Sequence, residues 1–447
     1  MYIPRKYQEE GIQNILKEFE YYKVPFLAVF PVGSGKSWIM ADVIKRLGDP
    51  PTLILQPNRE LLLQNYDKYT HPAIGGNASL YSASVNTKVV SNVTFATIGS
   101  IKTKHDEFQH VKYIIIDEAH LNVGEAGMIA KFIKKIKGVK VLGVTATPIK
   151  LKNYMFNGYS HAQLNILTRI RPKFWHKIIH VTQVKELYDE SFLCPLRFTS
   201  FDFDMRNVKT KGNDYDMEEL SKKLQKTNVI PFTKDLIKAA IARGKRKILV
   251  FTPTVSDAYD ISRSIDDAEV ISSDTKKKDR AEYVENFKEK DLKVLLNYGT
   301  LTTGFDAPEI DLIICLRPTK SYALYYQILG RGMRPFPGKE ICDVVDLSGN
   351  YKEFGNPKHL MFEDHDGYGW GMFVKNRLLS GIPLGQKIKK EDLGVENQTI
   401  QFGKWKGSKF SEIPTNYLMW IRENMDLTTD YAKKYVVPPL IKLGLFT

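Results

Sequence analysis

The sequence predicts an α/β protein: two domains in series, each a parallel sheet covered by helices, followed by a small C-terminal accessory module. Three observations predict it. The chain has 447 residues, more than one ordinary core organises. Nine short apolar runs recur in two series, 26–30, 52–55, 94–97, 113–116 and 141–145, then 248–251, 294–297, 312–315 and 342–345. Each is rich in Val, Ile and Leu without alternation, the pattern of strands buried on both faces. Each is also followed by small or polar residues and a helical pattern, so the polar residues fall at the carboxyl ends of the strands. Open α/β sheets gather their sites there.

Composition bounds the rest. Hydrophobic residues make up 43% and charged residues 26%, which excludes a disordered or fibrous chain. Lys and Arg outnumber Asp and Glu by 65 to 51, a net charge of +14. A surplus of that size favours a polyanionic partner, because each neutralised phosphate releases condensed counterions. Solubility alone would also account for it, and charge does not decide between the two. Cys194, Cys315 and Cys342 lie far apart with no CxxC pair, so neither a zinc knuckle nor a disulfide framework is expected. The start MYIPRKYQEE lacks the apolar stretch of a signal peptide, and no run approaches a membrane span. A reducing, cytoplasmic setting and no membrane partner follow as expectations. The domain boundaries are expected at 1–200 for the first domain, 201–235 for a polar connection with a helix at 217–226, 236–370 for the second domain and 371–447 for the accessory module.

The first run leads into Pro31-Val32-Gly33-Ser34-Gly35-Lys36-Ser37 and then a helical pattern over 38–47. Gly33, Ser34 and Gly35 let backbone amides turn inward around a phosphate, and the helix N-terminus adds its dipole. Lys36 would reach the β- and γ-phosphates and Ser37 would bind Mg. The first position of the general pattern is Phe30 rather than Gly. Run 113–116 ends in Asp117-Glu118-Ala119-His120. A carboxylate closing a buried strand can hold Mg, and its neighbour can polarise a water for attack on the γ-phosphate. Asp117 is therefore assigned to the metal and Glu118 to the general base. Together the two motifs specify a nucleoside triphosphatase with ATP and Mg as its cofactors.

Three further motifs follow in order: Thr145-Ala146-Thr147, residues 302–308 (TTGFDAP) and Gln327-Ile328-Leu329-Gly330-Arg331-Gly332-Met333-Arg334. Five motifs in this order resemble the superfamily 2 DEAH-type helicases, with the closest likeness to RadD-like and phage-encoded DNA helicases, over roughly residues 1–355. The phrase VVDLSGNYKEFG at 344–355 adds to that likeness. The cysteine-rich zinc tail of the RadD-like proteins has no counterpart here.

The resemblance implies two RecA-like domains with ATP between them. Arg5 and Gln8 are similar to the segment that reads adenine, with Gln8 on the base. Arg59, Thr97 and Ser100 are similar to residues touching backbone phosphates, with Thr252 and Thr302 as their counterparts in the second domain. Thr145 and Thr147 are similar to residues linking hydrolysis to strand movement. Gly304 would approach the γ-phosphate and Asp306 the ribose. His120 and Gln327 belong to the catalytic set. Arg331 and Arg334, one helical turn apart, would face the phosphate-binding loop across the cleft and stabilise the charge of phosphoryl transfer.

Two segments stay open. Residues 168–177 (TRIRPKFWHK) interleave basic and aromatic residues, which fits either stacking on single strands or an aromatic core with solvated Lys and Arg. Residues 402–407 (FGKWKG), with Tyr417 and Trp420, resemble a small uncharacterised domain family. Its glycines suggest a tight turn presenting Lys404 and Lys406 to nucleic acid, and its aromatic residues a mini-core. The expected function is an ATP-dependent DNA helicase acting on single-stranded and forked or branched DNA, in the host cytoplasm if phage-encoded. Double-strand translocation without strand separation and RNA unwinding use the same motor. A nucleic-acid-binding scaffold with a vestigial ATPase is the alternative of another class, against which the intact Lys36, Asp117, Glu118 and Arg331 argue.

Overall fold

The computed structural model describes residues 2–21, 23–121, 127–156, 159–201, 208–299, 305, 307–365, 369–385, 387–390, 399–427 and 429–442. Thr302, Gly304 and Asp306 lie outside the described residues. All nine apolar runs are strands, and two parallel sheets carry them. The first has eight strands, in the order Lys177–Val181, Phe26–Val29, Lys140–Thr145, Tyr113–Asp117, Thr52–Gln56, Val93–Thr97, Ser79–Ser82 and Thr87–Lys88. Only the last pair is antiparallel. The second sheet has six, in the order Leu196–Ser200, Cys342–Asp346, Leu312–Cys315, Ile248–Phe251, Val294–Asn297 and Ala268–Ile271, all parallel.

Burial explains why the central strands read so clearly. Phe26–Val29, Thr52–Gln56, Ile248–Phe251 and Val294–Asn297 are buried at every position, as a sheet covered on both faces requires. Each large apolar side chain so buried contributes about 1.5–3 kcal/mol. The second sheet begins earlier in the chain than expected, because Leu196–Ser200 pairs with Cys342–Asp346 ahead of the polar connection. The connection contains the expected helix, Met217–Gln225, capped by the Asp216 carboxylate, and the helix Val229–Ala242.

Beyond the two large sheets, the described residues form smaller additions, among them a short antiparallel pair, Thr210–Lys211 with Asp214–Tyr215. A hairpin, Ile149–Phe156 with Tyr159–Ile166, follows Thr145-Ala146-Thr147. An antiparallel sheet of Leu360–His365, Gly369–Val374, Arg377–Leu378 and Ile388–Lys389 follows the second domain. The hairpin meets the loop leaving that sheet through Gly381 N–H to the Leu164 carbonyl, 2.6 Å, and Leu384 N–H to the Ala162 carbonyl, 2.8 Å. The C-terminal end forms its own small core from Ile400, Phe410, Ile413, Leu418, Ile421 and Leu440. No helix among the described residues is long and apolar enough to cross a membrane.

The basic and aromatic segment 168–177 resolves in favour of the core. Trp175 is fully buried and Phe174 nearly so, edge to face with ring centroids 4.8 Å apart. Trp175 fills the space above Gly143 of the central strand, where a Cβ would stand 2.5 Å from the indole. Lys177 pairs with Glu18 at 2.6 Å. Stacking on a nucleic acid base is therefore closed to both rings. Trp175→Ala should destabilise the chain by about 3–5 kcal/mol, the range for emptying a buried aromatic site, as read by denaturant unfolding; an unchanged midpoint would place the ring outside the core.

Candidate active site

The phosphate-binding loop joins Phe26–Val29 to the helix Lys36–Arg46. Gly33 and Gly35 have φ of 82° and 79°, in the left-handed region that glycine enters without strain. The upstream segment braces this loop: Tyr7 Oη and Gln8 Nε2 both donate to the Ser34 carbonyl, each at 2.8 Å. Gln8 Nε2 comes so close to Gly35 that a Cβ there would stand 2.8 Å from it. Gln8 Oε1 accepts the Arg5 N–H and the Tyr2 hydroxyl, each at 2.8 Å. The buried carboxamide thus holds the loop, with its oxygen already carrying two donors, so a base could claim at most its second N–H. Arg5 lies over the Phe192 ring at 3.7 Å.

Asp117 closes the strand Tyr113–Asp117 beside Lys140–Thr145. Its carboxylate accepts the Glu118 N–H at 2.8 Å on one oxygen and Asn65 Nδ2 at 2.8 Å on the other. Burial, then the charge of Glu118, push the Asp117 carboxyl above the usual carboxylate range, while Lys36 and the Asn65 hydrogen bond pull it down. A serine hydroxyl with a carboxylate is the hard oxygen set that Mg takes. Ser37 and Asp117 fit that ion. Asn65, from the helix Arg59–Thr70, was not legible in the sequence, since a lone Asn in an amphipathic helix carries no signal.

Glu118 takes a φ of 47°, a costly conformation for a glutamate and of the kind that clusters at functional sites. The turn brings its carboxylate to 3.3 Å from His120 Nδ1. The same nitrogen lies 2.9 Å from Thr145 Oγ1. Across the cleft, Gln327 Nε2 approaches His120 Nε2 at 3.5 Å. Burial, then repulsion by Lys36, hold the imidazole down at about 4, so His120 is neutral near pH 7. With Gln327 donating to Nε2, the ring proton sits on Nδ1 and points at Thr145 and Glu118.

The helix Tyr322–Gly332 carries Gln327 to this point, and it packs directly on the phosphate-binding loop. A Cβ on Gly330 would stand 2.5 Å from Val32 Cγ1. Arg331 is buried and donates to the Phe305 carbonyl, and Arg334 Nη1 donates to the same oxygen at 3.1 Å. Arg334 lies past the helix, which ends at Gly332 with Met333 as its cap, so the two guanidiniums converge on the 305 loop from a helix and its exit rather than from one helical face.

Two family models match the chain, one in each half. A family described as the Type III restriction enzyme res subunit matches residues 1–150, and the helicase conserved C-terminal domain matches 231–335. The chain belongs to superfamily 2 of the helicases. It is 26% identical over 376 residues to the putative ATP-dependent helicase IRC3 of Saccharomyces cerevisiae, covering 77% of this chain and 51% of that one. The chain thus spans about half the length of that relative. It is 24% identical to a 51.5 kDa protein of a Lactococcus phage, covering 93% and 91% of the two chains. Among solved structures, a fragment of a putative HsdR subunit of a type I restriction enzyme from Vibrio vulnificus matches with a TM-score of 0.58 at 22% identity, over 83% of this chain and 68% of that one.

The positions expected to touch the nucleic acid strand are less uniform. Arg59 is exposed at the start of its helix. Thr97 and Ser100 share a hydroxyl cluster, with Thr97 Oγ1 2.9 Å from Ser82 Oγ and 3.0 Å from Ser100 Oγ. Thr252 is fully buried and donates to the Thr254 carbonyl at 2.9 Å, so it shapes a turn and is closed to a phosphate. Thr147 is buried beside Thr145, its N–H 3.1 Å from Thr145 Oγ1. Lys404 and Lys406 are exposed on the turn closed by Lys406 N–H to the Gly403 carbonyl. Trp405 and Tyr417 pack on the small C-terminal core, whereas Trp420 is 53% exposed.

Asn65→Ala should lower ATP turnover about 10- to 100-fold and raise the Mg concentration needed for half-maximal rate, the scale for losing a group that orients a metal ligand; a Mg titration of turnover checks it. Gly330→Ala should strain the packing against Val32 by about 1–3 kcal/mol, a roughly 5- to 150-fold loss of closed enzyme, with Val32→Ala restoring part of it. Equal turnover in Gly330→Ala and the parent chain would mean that this packing is not used in hydrolysis.

Proposed function

We propose that the chain is an ATP-driven DNA helicase that opens forked or branched duplexes by closing and relaxing its two RecA-like domains. The observation that carries this reading is the junction at His120. One buried, neutral imidazole touches the proposed base Glu118, Thr145 at the end of the adjoining strand, and Gln327 of the second domain. A change at the γ-phosphate therefore has a short path to the position of the second domain.

Lys36 draws the β- and γ-phosphates to the braced loop. Ser37 and Asp117 would hold Mg, which would supply positive charge to neutralise phosphate oxygens. Glu118 takes the proton of the attacking water, its carboxylate fixed by the left-handed turn at 118 and by His120. Arg331 and Arg334 supply cationic charge from the second domain. Their shared hold on the Phe305 carbonyl fixes the pair at one point of the second domain. Closure favoured by ATP and relaxation after hydrolysis then alternate the grip on the strand. Arg59 and the Thr97–Ser100 cluster contact it in the first domain, and Lys404 and Lys406 in the accessory module. Such contacts position the strand without reading sequence, in keeping with the +14 charge.

The test is ATP turnover with single-stranded DNA, duplex DNA, forked DNA and RNA, alongside strand separation on the fork. The expected result is strongest stimulation by forked DNA with separated product. Stimulation by duplex without separation would make the chain a translocase, and stimulation by RNA alone an RNA helicase. Arg331→Ala should keep ATP affinity within a few-fold and DNA affinity intact, yet cut turnover roughly a thousandfold; loss of DNA binding with normal turnover would make Arg331 a strand contact.

A further inference from the structure

Away from the nucleotide site, a pocket of about 440 Å3 opens between the helix Asn350–Phe354 and the antiparallel accessory sheet. Lys352, His359, Lys375, Arg377 and Lys389 line it, and among the described residues no acidic side chain does. Among the described residues, Glu353 accepts the Gly385 N–H at 3.1 Å, and Glu363 pairs with Lys390.

The local structure is built against its own comfort. Val374 pairs with Arg377, so Lys375 and Asn376 form a two-residue hairpin turn, and Lys375 takes a φ of 54°. Glycine or asparagine serves such a position without strain, yet an exposed lysine stands there. Arg377 lies directly opposite Lys389 across the next strand pair, an arrangement of like charges that destabilises a sheet. Burial, then Lys375 and Lys358, hold the His359 imidazole below its usual range. Arg377 also donates to the Glu353 carbonyl, and a cluster of this charge suits an anion.

Resting on the nucleic-acid reading above, we propose that this pocket binds a phosphodiester of the DNA backbone, as a contact separate from those of the two large sheets. It has room for a sugar-phosphate unit and not for a base-paired helix. It adjoins the helix leaving the carboxyl end of the strand Cys342–Asp346. It is also joined to the machinery of closure, since Tyr325 Oη, on the helix that carries Gln327, donates to the carbonyl of Gly355 on the pocket wall at 2.8 Å. A strand held here moves with the second domain.

The experiment uses the full chain with Lys375→Gly, Lys389→Ala and the double variant. Lys375→Gly places glycine where the backbone is left-handed, so thermal unfolding should show an unchanged or higher midpoint. Binding of a single-stranded oligonucleotide is measured from low to physiological salt. The plot of log affinity against log salt should become shallower by about 0.7 for each phosphate that the variant no longer neutralises. Inorganic phosphate and AMP are titrated in parallel. An unchanged slope in a folded double variant, beside a parent chain that binds DNA, overturns the pocket and leaves the motor standing. Loss of phosphate or AMP binding with oligonucleotide affinity intact overturns the polymer assignment in favour of a free phosphate compound. A parent chain with no DNA-stimulated turnover overturns the motor reading itself.

Discussion

The arrangement rests on a constraint that two surfaces must satisfy together: the helix Tyr322–Gly332 has to lie flat on the phosphate-binding loop. Gly330 makes this possible, because any side chain there would collide with Val32. Once the helix is seated, Gln327 reaches His120. The two parallel sheets fix the rest, since each delivers its polar residues at the carboxyl ends of its strands. A shift of one sheet against the other would part Gln327 from His120.

The sheets were legible because their information is local. A strand buried on both faces must be apolar at nearly every position, and nine runs declared themselves on that ground alone. Strands at or beside the edges, such as Ser79–Ser82 and Ala268–Ile271, were missed because half-solvated positions admit polar residues and blur the pattern. The hairpin Ile149–Phe156 and Tyr159–Ile166 and the accessory sheet were missed for the same reason. The Leu196–Ser200 strand carries Arg and Thr in place of aliphatic residues, so its membership of the second sheet left no mark on the sequence.

At the site, the loop glycines, Lys36, Asp117 and Glu118 were legible because phosphate and metal chemistry fix both residue type and spacing. The braces were not. Asn65 reaches Asp117 across 52 positions, and Gln8 reaches Ser34 across 26. Such pairings depend on the helix and strand packing that only the fold supplies. Gln8 shows how a residue can be found for one reason and hold another: its carboxamide was expected on the base, and it braces the loop. Thr252 departs in the opposite direction. Its hydroxyl type suited a phosphate contact, but the turn to Thr254 buries it.

The polar junction around His120 gives the last step. A buried imidazole beside a carboxylate costs free energy unless its partners are placed. Here two partners belong to the first domain and one to the second. The first-domain partners are fixed by adjacent strands, so they remain whether the cleft is open or closed. Gln327 is different, since it arrives only with the second domain. Opening the cleft strips His120 Nε2 of that donor, which changes what Nδ1 can offer to Glu118. Domain position and the readiness of the proposed base are then two descriptions of one hydrogen-bonded chain. The backbone strain at Glu118 has a reason in the same terms, because a relaxed φ would swing its carboxylate away from the imidazole at 3.3 Å.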